Sequence, residues 1–344
     1  MPYGGSAWKG LWITMQKIRI GILGAADIAY RRFLPALRKT ENFIFAGVAV
    51  ASESGKARAQ RIADEFGGRI YVGYENLLRE QDIDAVYIPL PPSLHYTWAD
   101  RALNMGKHVL SEKPCTMSLR DAEALVRLAE EKQLVLNENY AFTMHRQIRM
   151  IRELISSGEI GQLRLIRSAF GFPYRSADDF RYHREMGGGA LLDCGGYVIK
   201  VAQLFLDEDI RVLTSALHRT EKHDVDMYGS VVLADRNQTE TQLAFGMDNA
   251  YRCELEIWGS KACIYAPRIF TPPAELEARI VVKGQTEKTI SVEPDDQFMH
   301  VIEYFGACME DREMREQARE GIAAQARLIE AVREMDVCRS ERKE

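Results

Sequence analysis

The chain has 344 residues, 46% of them apolar and 28% charged, with a formal net charge of -5. That length suits two domains, since domains run at roughly 100 to 200 residues. Basic residues are scattered rather than clustered, which excludes an electrostatic nucleic-acid footprint, and no run of about 18 uncharged apolar residues exists to form a membrane span.

Met1 to Thr14 lack the apolar region and cleavage site of a secretory signal, and Met15-Gln16-Lys17-Ile18 opens a strand, so residues 1–14 read as an extension before a natural start at Met15. Six widely spaced cysteines, Cys115, Cys194, Cys253, Cys263, Cys308 and Cys338, form no CxxC pair or zinc-type cluster with histidine. They read as reduced thiols of a cytoplasmic protein without a metal site.

From Ile18 short β-rich runs alternate with amphipathic stretches, the pattern of βαβ units. Strands are expected at Ile18–Leu23, Phe43–Val50, Arg69–Val72, Ala85–Pro89, Lys107–Ser111 and Leu134–Asn137, with helices at Ile28–Arg38, Gly55–Phe66, Glu75–Glu80, Leu94–Asn104 and Leu119–Lys132. The result is an α/β, doubly wound Rossmann dinucleotide-binding domain over residues 15–139.

Beyond residue 140 the rhythm changes. A helix at Thr143–Ser157, a strand at Leu163–Phe170 and an apolar helix at Ala190–Leu206 precede six strand candidates: Arg211–Leu217, Tyr228–Leu233, Thr239–Phe245, Cys253–Gly259, Lys261–Tyr265 and Arg279–Val282. These fit a mostly antiparallel meander, and helices at Asp296–Met309 and Glu316–Val337 close an α+β domain over residues 140–337. Residues 338–344 read as a charged tail. An open sheet face invites self-association as a homodimer or homotetramer.

At the end of the first strand, Gly21-Ile22-Leu23-Gly24-Ala25-Ala26-Asp27-Ile28 occupies the place of a GxGxxG fingerprint but keeps one of its glycines, Gly24. Small residues still let backbone amides approach a pyrophosphate, although a tight βα turn without a ligand has the same look. The second strand ends at Ser52-Glu53, where the adenosine ribose is read. A hydroxyl at Ser52 with Arg31 and Arg32 nearby favours the 2′-phosphate of NADP(H), whereas Glu53 leaves NAD(H) open, and the arginines also suit a solvated helix face. Leu90-Pro91 forms a rigid edge for the nicotinamide end, and His95 either joins it or packs locally at a helix start.

Glu112-Lys113-Pro114 sets a lysine at the carboxyl end of a parallel strand, where open α/β sheets bind their ligands. In Gly187-Gly188-Gly189-Ala190-Leu191-Leu192-Asp193-Cys194-Gly195-Gly196-Tyr197, a glycine loop feeds a buried helix with Asp193 and Tyr197 at i and i+4 on one face. A core tyrosine with a satisfied hydroxyl is the plain reading. With Lys113 available, the ammonium lowers the phenol's pKa from about 10 and makes Tyr197 a general acid.

Together these motifs resemble the glucose-fructose oxidoreductase, inositol dehydrogenase and MocA family from Met15 to about Val337. Tyrosine rather than histidine at 197 resembles a subset with NDP-hexose 3-ketoreductases, dihydrodiol dehydrogenases and NADP-dependent xylose dehydrogenases. Ala26 to Arg32, Tyr87 to Pro92, Phe245 to Arg252 and Phe270 to Pro273 look most like the sugar-nucleotide 3-ketoreductases. The resemblance implies NADPH reduction of the C3 ketone of dTDP-3,4-diketo-2,6-dideoxyglucose to dTDP-4-keto-2,6-dideoxyglucose, with Tyr197 giving the proton and Lys113 stabilising the alkoxide and holding the cofactor ribose beside Glu112. It gives Asp193 an orienting role. Substrate contacts are expected from Asn139, Tyr140, Asp193, Tyr197 and the Arg181-Tyr182-His183 loop, although solvation also accounts for that loop. An NADP-dependent dehydrogenase of free sugars or trans-dihydrodiols and a non-catalytic dinucleotide sensor are the competing readings.

Overall fold

The computed structural model describes residues 17–339, so the extension before Met15 and residues 340–344 of the tail lie outside the described residues. The chain forms two compact units: one runs to Asn139 and takes in Phe298–Ala323, and the other holds Tyr140–Gln297 and the chain from Ala324 on.

In the first unit, β1 (Ile18–Leu23), β2 (Phe43–Val50), β3 (Arg69–Val72), β4 (Ala85–Ile88), β5 (His108–Glu112) and β6 (Leu136–Asn139) form one sheet in the order β3-β2-β1-β4-β5-β6. All its pairings are parallel. The order reverses between β1 and β4, and ligands of such sheets sit beyond the strand ends at that point. Helices α1 (Leu34–Leu37), α2 (Lys56–Phe66), α3 (Tyr74–Leu78), α4 (Pro92–Asn104) and α5 (Leu119–Glu131) connect the strands. The helix expected over Ile28–Arg38 is instead a π turn, Ala29–Phe33, running into α1.

The second unit starts with α6 (Arg146–Ser156) and β7 (Leu163–Gly171), followed by a π turn at Leu191–Gly195 and α7 (Gly196–Phe205). Its sheet adds β8 (Arg211–Thr220), β9 (His223–Ala234), β10 (Glu240–Gly246), β11 (Arg252–Gly259), β12 (Cys263–Ala266), β13 (Ala278–Lys283) and β14 (Glu287–Val292). The order β14-β13-β12-β11-β7-β10-β9-β8 is not a plain meander, because β7 lies between β10 and β11 and runs parallel to β10. Met227, Val231, Leu243, Phe245, Leu255 and Ile257 are buried on one face, each such side chain contributing about 2 kcal/mol, and Arg167, Gln242 and Glu256 alternate to the other.

Helices α8 (Gln297–Glu310) and α9 (Arg312–Glu334) close the chain. In the first unit Phe305 stacks on Phe43 with centroids 6.3 Å apart, and the Arg315 guanidinium donates to the carbonyls of Gln133, Cys308 and Met309. In the second, Ser215 Oγ donates to the Val332 carbonyl at 2.6 Å and Asp336 Oδ1 accepts from the Leu217 amide at 2.9 Å. Among the described residues no helix is long and apolar enough to cross a membrane, and no cluster of histidine, cysteine and carboxylate groups suits a metal.

Candidate active site

The β1 turn requires its glycine twice over. Gly24 has φ +108°, a conformation that L side chains rarely adopt, and a Cβ there would lie 2.7 Å from Leu90 Cδ2. Past it Ala25 and Ala26 are half-buried, while Asp27 and Ile28 are exposed. At the end of β2, Ser52 is exposed with its hydroxyl 2.9 Å from that of Ser54, and Glu53 pairs with Lys56 at 3.4 Å. Neither Arg31 nor Arg32 makes an ion pair with a described residue, and Leu90 and Pro91 are half-buried. A turn that only glycine can make, an accessible backbone beyond it, an open hydroxyl and two arginines fit a phosphorylated dinucleotide.

Lys113 is half-buried and follows Glu112 at the end of β5; the Lys113-Pro114 peptide is cis. Glu112 Oε1 accepts from the Tyr87 hydroxyl at 2.6 Å and from Asn139 Nδ2 at 2.7 Å. Burial raises the Glu112 pKa, against the two hydrogen bonds and the Lys113 charge that favour the carboxylate. The Tyr87 ring is in turn stacked 4.0 Å from Phe33. Glu112, expected among the cofactor-binding residues, thus anchors the start of the lysine loop.

His95, expected either beside the cofactor or packed locally at a helix start, is fully buried, with Nδ1 2.7 Å from the Pro114 carbonyl oxygen and Nε2 2.6 Å from that of Leu90. Burial lowers its pKa, against the two carbonyls. Asn139 and Tyr140, expected as substrate contacts, are 2% exposed each. Asn139 serves Glu112, and the Tyr140 hydroxyl accepts from Gln325 Nε2 at 3.2 Å.

In the second unit the glycine loop leads into the π turn, so the i, i+4 relation of Asp193 and Tyr197 spans a π turn and the α-helix after it rather than one regular helix. Gly189 has φ +122°, and a Cβ there would lie 2.6 Å from Asp226 Oδ1. Asp226 Oδ2 accepts from the Leu191 amide at 2.6 Å, and burial raises the Asp226 pKa. Two further glycines permit close packing: a Cβ on Gly195 would touch Phe245 at 3.2 Å, and one on Gly196 would lie 2.2 Å from the Tyr140 hydroxyl. Gln325 Nε2 also donates to the Gly196 carbonyl at 2.8 Å.

Tyr197 alone between Leu191 and Ala202 is not fully buried. Its ring lies among Tyr140, Phe142, Phe170 and Phe270, with centroids 5.3, 5.7, 5.0 and 5.6 Å away. Four aromatic walls restrict the ring, and such pairs add about 0.5–1.5 kcal/mol each beyond burial. Of these walls only Tyr140 was expected at the site; Phe270 opens a stretch that carries the resemblance, whereas Phe142, Phe170, Gln325 and Asp226 carry no local motif, and only the fold gathers them.

Arg181 is not a solvated loop residue. Its Nε donates to Asp193 Oδ2 at 2.6 Å and its Nη1 to Asp179 Oδ1 at 3.0 Å. Burial works against the guanidinium charge, and the two carboxylates more than offset it, raising its pKa. Its neighbour His183 is half-buried, with Nδ1 3.6 Å from Glu185 Oε1.

The family model described as "Oxidoreductase family, NAD-binding Rossmann fold" matches residues 18–140, and that of the "GFO/IDH/MocA C-terminal domain" matches residues 148–265. The chain is 41% identical over 334 residues to a dTDP-3,4-didehydro-2,6-dideoxy-alpha-D-glucose 3-reductase of Saccharopolyspora spinosa, covering 94% of this chain and 98% of that one. An enzyme of the same name from Actinomadura kijaniata is 40% identical over 317 residues, covering 92% and 95%. The crystal structure of a 3-ketoreductase from Actinomadura kijaniata in complex with NADP and TDP-benzene has a TM-score of 0.89 at 38% identity, covering 93% of this chain and 98% of that one. With family models matching in both units and relatives of this identity along nearly its whole length, the chain belongs to the Gfo/Idh/MocA family of oxidoreductases.

Proposed function

We propose that this protein is an NADPH-dependent 3-ketoreductase that converts dTDP-3,4-diketo-2,6-dideoxyglucose to dTDP-4-keto-2,6-dideoxyglucose. The observation that carries the reading is Tyr197, half-buried where every other residue from Leu191 to Ala202 is buried, and boxed by four aromatic rings on a chain 41% identical to a reductase of that sugar nucleotide. When bound, NADPH supplies the hydride. Tyr197 donates its phenolic proton to the oxygen that was the C3 ketone, and Lys113 stabilises negative charge as it develops there. Glu112 holds the lysine loop, and Asp193, paired with Arg181, orients the segment that leads to Tyr197. The Gly24 turn takes the pyrophosphate and Ser52 with Arg31 and Arg32 the 2′-phosphate; two arginines without carboxylate partners among the described residues favour NADP(H) over NAD(H).

The test is NADPH oxidation with the diketo sugar nucleotide against a panel of free keto sugars and dihydrodiols. Turnover confined to the free compounds would replace this reading with that of a free-sugar or dihydrodiol dehydrogenase. We further propose that the enzyme is cytoplasmic, which its free cysteines support, and that it forms a homodimer or homotetramer through the sheet face bearing Arg167, Gln242, Glu254, Glu256 and the 45% exposed Trp258. Light scattering that finds a monomer at micromolar concentration would contradict the assembly.

A further inference from the structure

Three loops lie at the carboxyl ends of neighbouring strands in the first unit: the Gly24 turn after β1, Pro89–Pro91 after β4, and Lys113–Cys115 after β5. His95 stands in α4 and is fully buried, yet both of its partners lie outside that helix. One ring nitrogen meets the Leu90 carbonyl, five residues back, and the other the Pro114 carbonyl, nineteen residues on. Leu90 in turn covers the Gly24 turn closely enough that a methyl on Gly24 would reach its Cδ2 at 2.7 Å. One imidazole therefore bridges the loop of Lys113 and the loop that packs on the dinucleotide turn, a neutral ring donating to one of the two carbonyls and an imidazolium to both.

Further anchors of the lysine loop fall on either side of Lys113. Glu112, directly before Lys113, is held by Tyr87 and Asn139, and the Cys115 amide donates to Glu138 Oε1 at 2.8 Å. The His95 contact is at Pro114, directly after Lys113. A lysine side chain has many rotamers, so the reach of its ammonium depends on how firmly its backbone is set, and a misplacement of about 1 Å can cost on the order of a hundredfold in rate.

We propose that His95 is a positioning residue for Lys113, its ring lodged between the Leu90 and Pro114 carbonyls and holding the lysine loop against the β4 loop while touching neither cofactor nor substrate. The proposal rests on the reading of Lys113 given above, and two independent readouts separate the failure of one from the failure of the other. His95→Leu removes both ring nitrogens, whereas His95→Gln keeps an amide that donates to one carbonyl.

Hydrogen exchange on the full-length, cofactor-free protein reads the tether without activity. Peptides spanning residues 112–116 should exchange roughly tenfold faster in His95→Leu and by a smaller factor in His95→Gln, with β1 and β2 unchanged. Single-turnover NADPH oxidation should fall roughly thirtyfold in His95→Leu, with partial recovery in His95→Gln and a KM for the keto sugar within about threefold of the parent. In the Lys113→Ala background the same His95 change should cost less than about threefold, because its effect passes through the lysine. Unchanged exchange over residues 112–116, or an equal loss in both backgrounds, would overturn the proposal. Should His95→Leu fail to fold, His95→Gln carries all three measurements. A Lys113→Ala variant with the parent's rate would refute the role of Lys113 itself, and the exchange result would still decide whether His95 sets the loop.

Discussion

Arg181 Nε donates to Asp193 Oδ2 at 2.6 Å, with the guanidinium side chain 19% and the carboxylate 9% exposed. A residue of a polar loop thereby supplies the counter-charge for a carboxylate in the π turn before Tyr197. Breaking such a pair from one side strands the other charge, which costs more than the pair contributes.

Arg181→Gln should destabilise the protein by about 3 kcal/mol, and adding Asp193→Asn should recover part of that loss because only Asp179 then remains without its counter-charge. Urea denaturation of the two single variants and the double variant checks this. Strict additivity would show that the two side chains act independently.

His108 gives the folded state an acid limit. Burial, with Arg315 adding to it, lowers its pKa from the ordinary 6.5 to about 4, and its Nδ1 accepts from the Val135 amide at 3.0 Å, a bond that a proton on Nδ1 would abolish. Between those values the unfolded chain binds a proton that the folded chain refuses, so stability is present above pH 6.5 and is lost as pH falls towards 4. The contribution is on the order of 3 kcal/mol. His108→Gln should flatten the stability profile across that window in urea titrations, and an unchanged profile would remove His108 as its source.

Gly196 is required by the Tyr140 hydroxyl. With a Cβ placed 2.2 Å from that oxygen, Gly196→Ala should cost about 1–3 kcal/mol and lower turnover through displacement of the Tyr197 box. Tyr140→Phe removes the colliding atom, so the double variant should be more stable than Gly196→Ala alone. Thermal unfolding of the set decides.

Arg31→Ala combined with Arg32→Ala should raise the KM for NADPH roughly thirtyfold, each lost charge-assisted contact costing about 1 kcal/mol, while leaving that for NADH nearly unchanged. Steady-state kinetics with both cofactors reads the ratio. An equal change in both constants would place the arginines away from the 2′-phosphate.

The six-strand Rossmann pattern was legible because each run is short, apolar and followed by an amphipathic stretch, and the strand bounds fall within two residues of those expected. Strand β14 was not. Its Glu-Lys-Thr start belongs to a mostly exposed edge strand that needs no apolar alternation to pair with β13. The π turns at Ala29–Phe33 and Leu191–Gly195 also escaped notice, since one widened turn barely alters helical spacing. Lys113 and Tyr197 stood out by motif, whereas Gln325, 185 residues from Tyr140, and Asp226, 35 from Leu191, become part of the site only when the chain has folded.

The central claim is most directly tested by rapid-mixing single-turnover reduction of dTDP-3,4-diketo-2,6-dideoxyglucose by the NADPH-loaded protein and its Tyr197→Phe variant. The parent should oxidise NADPH with formation of the 4-keto product. The variant should bind NADPH with the parent's affinity and reduce the sugar at least about a hundredfold more slowly, the loss expected when a general acid is removed. Equal rates in the two proteins would contradict the proton-donor role of Tyr197, and no reduction by the parent would contradict the ketoreductase reading.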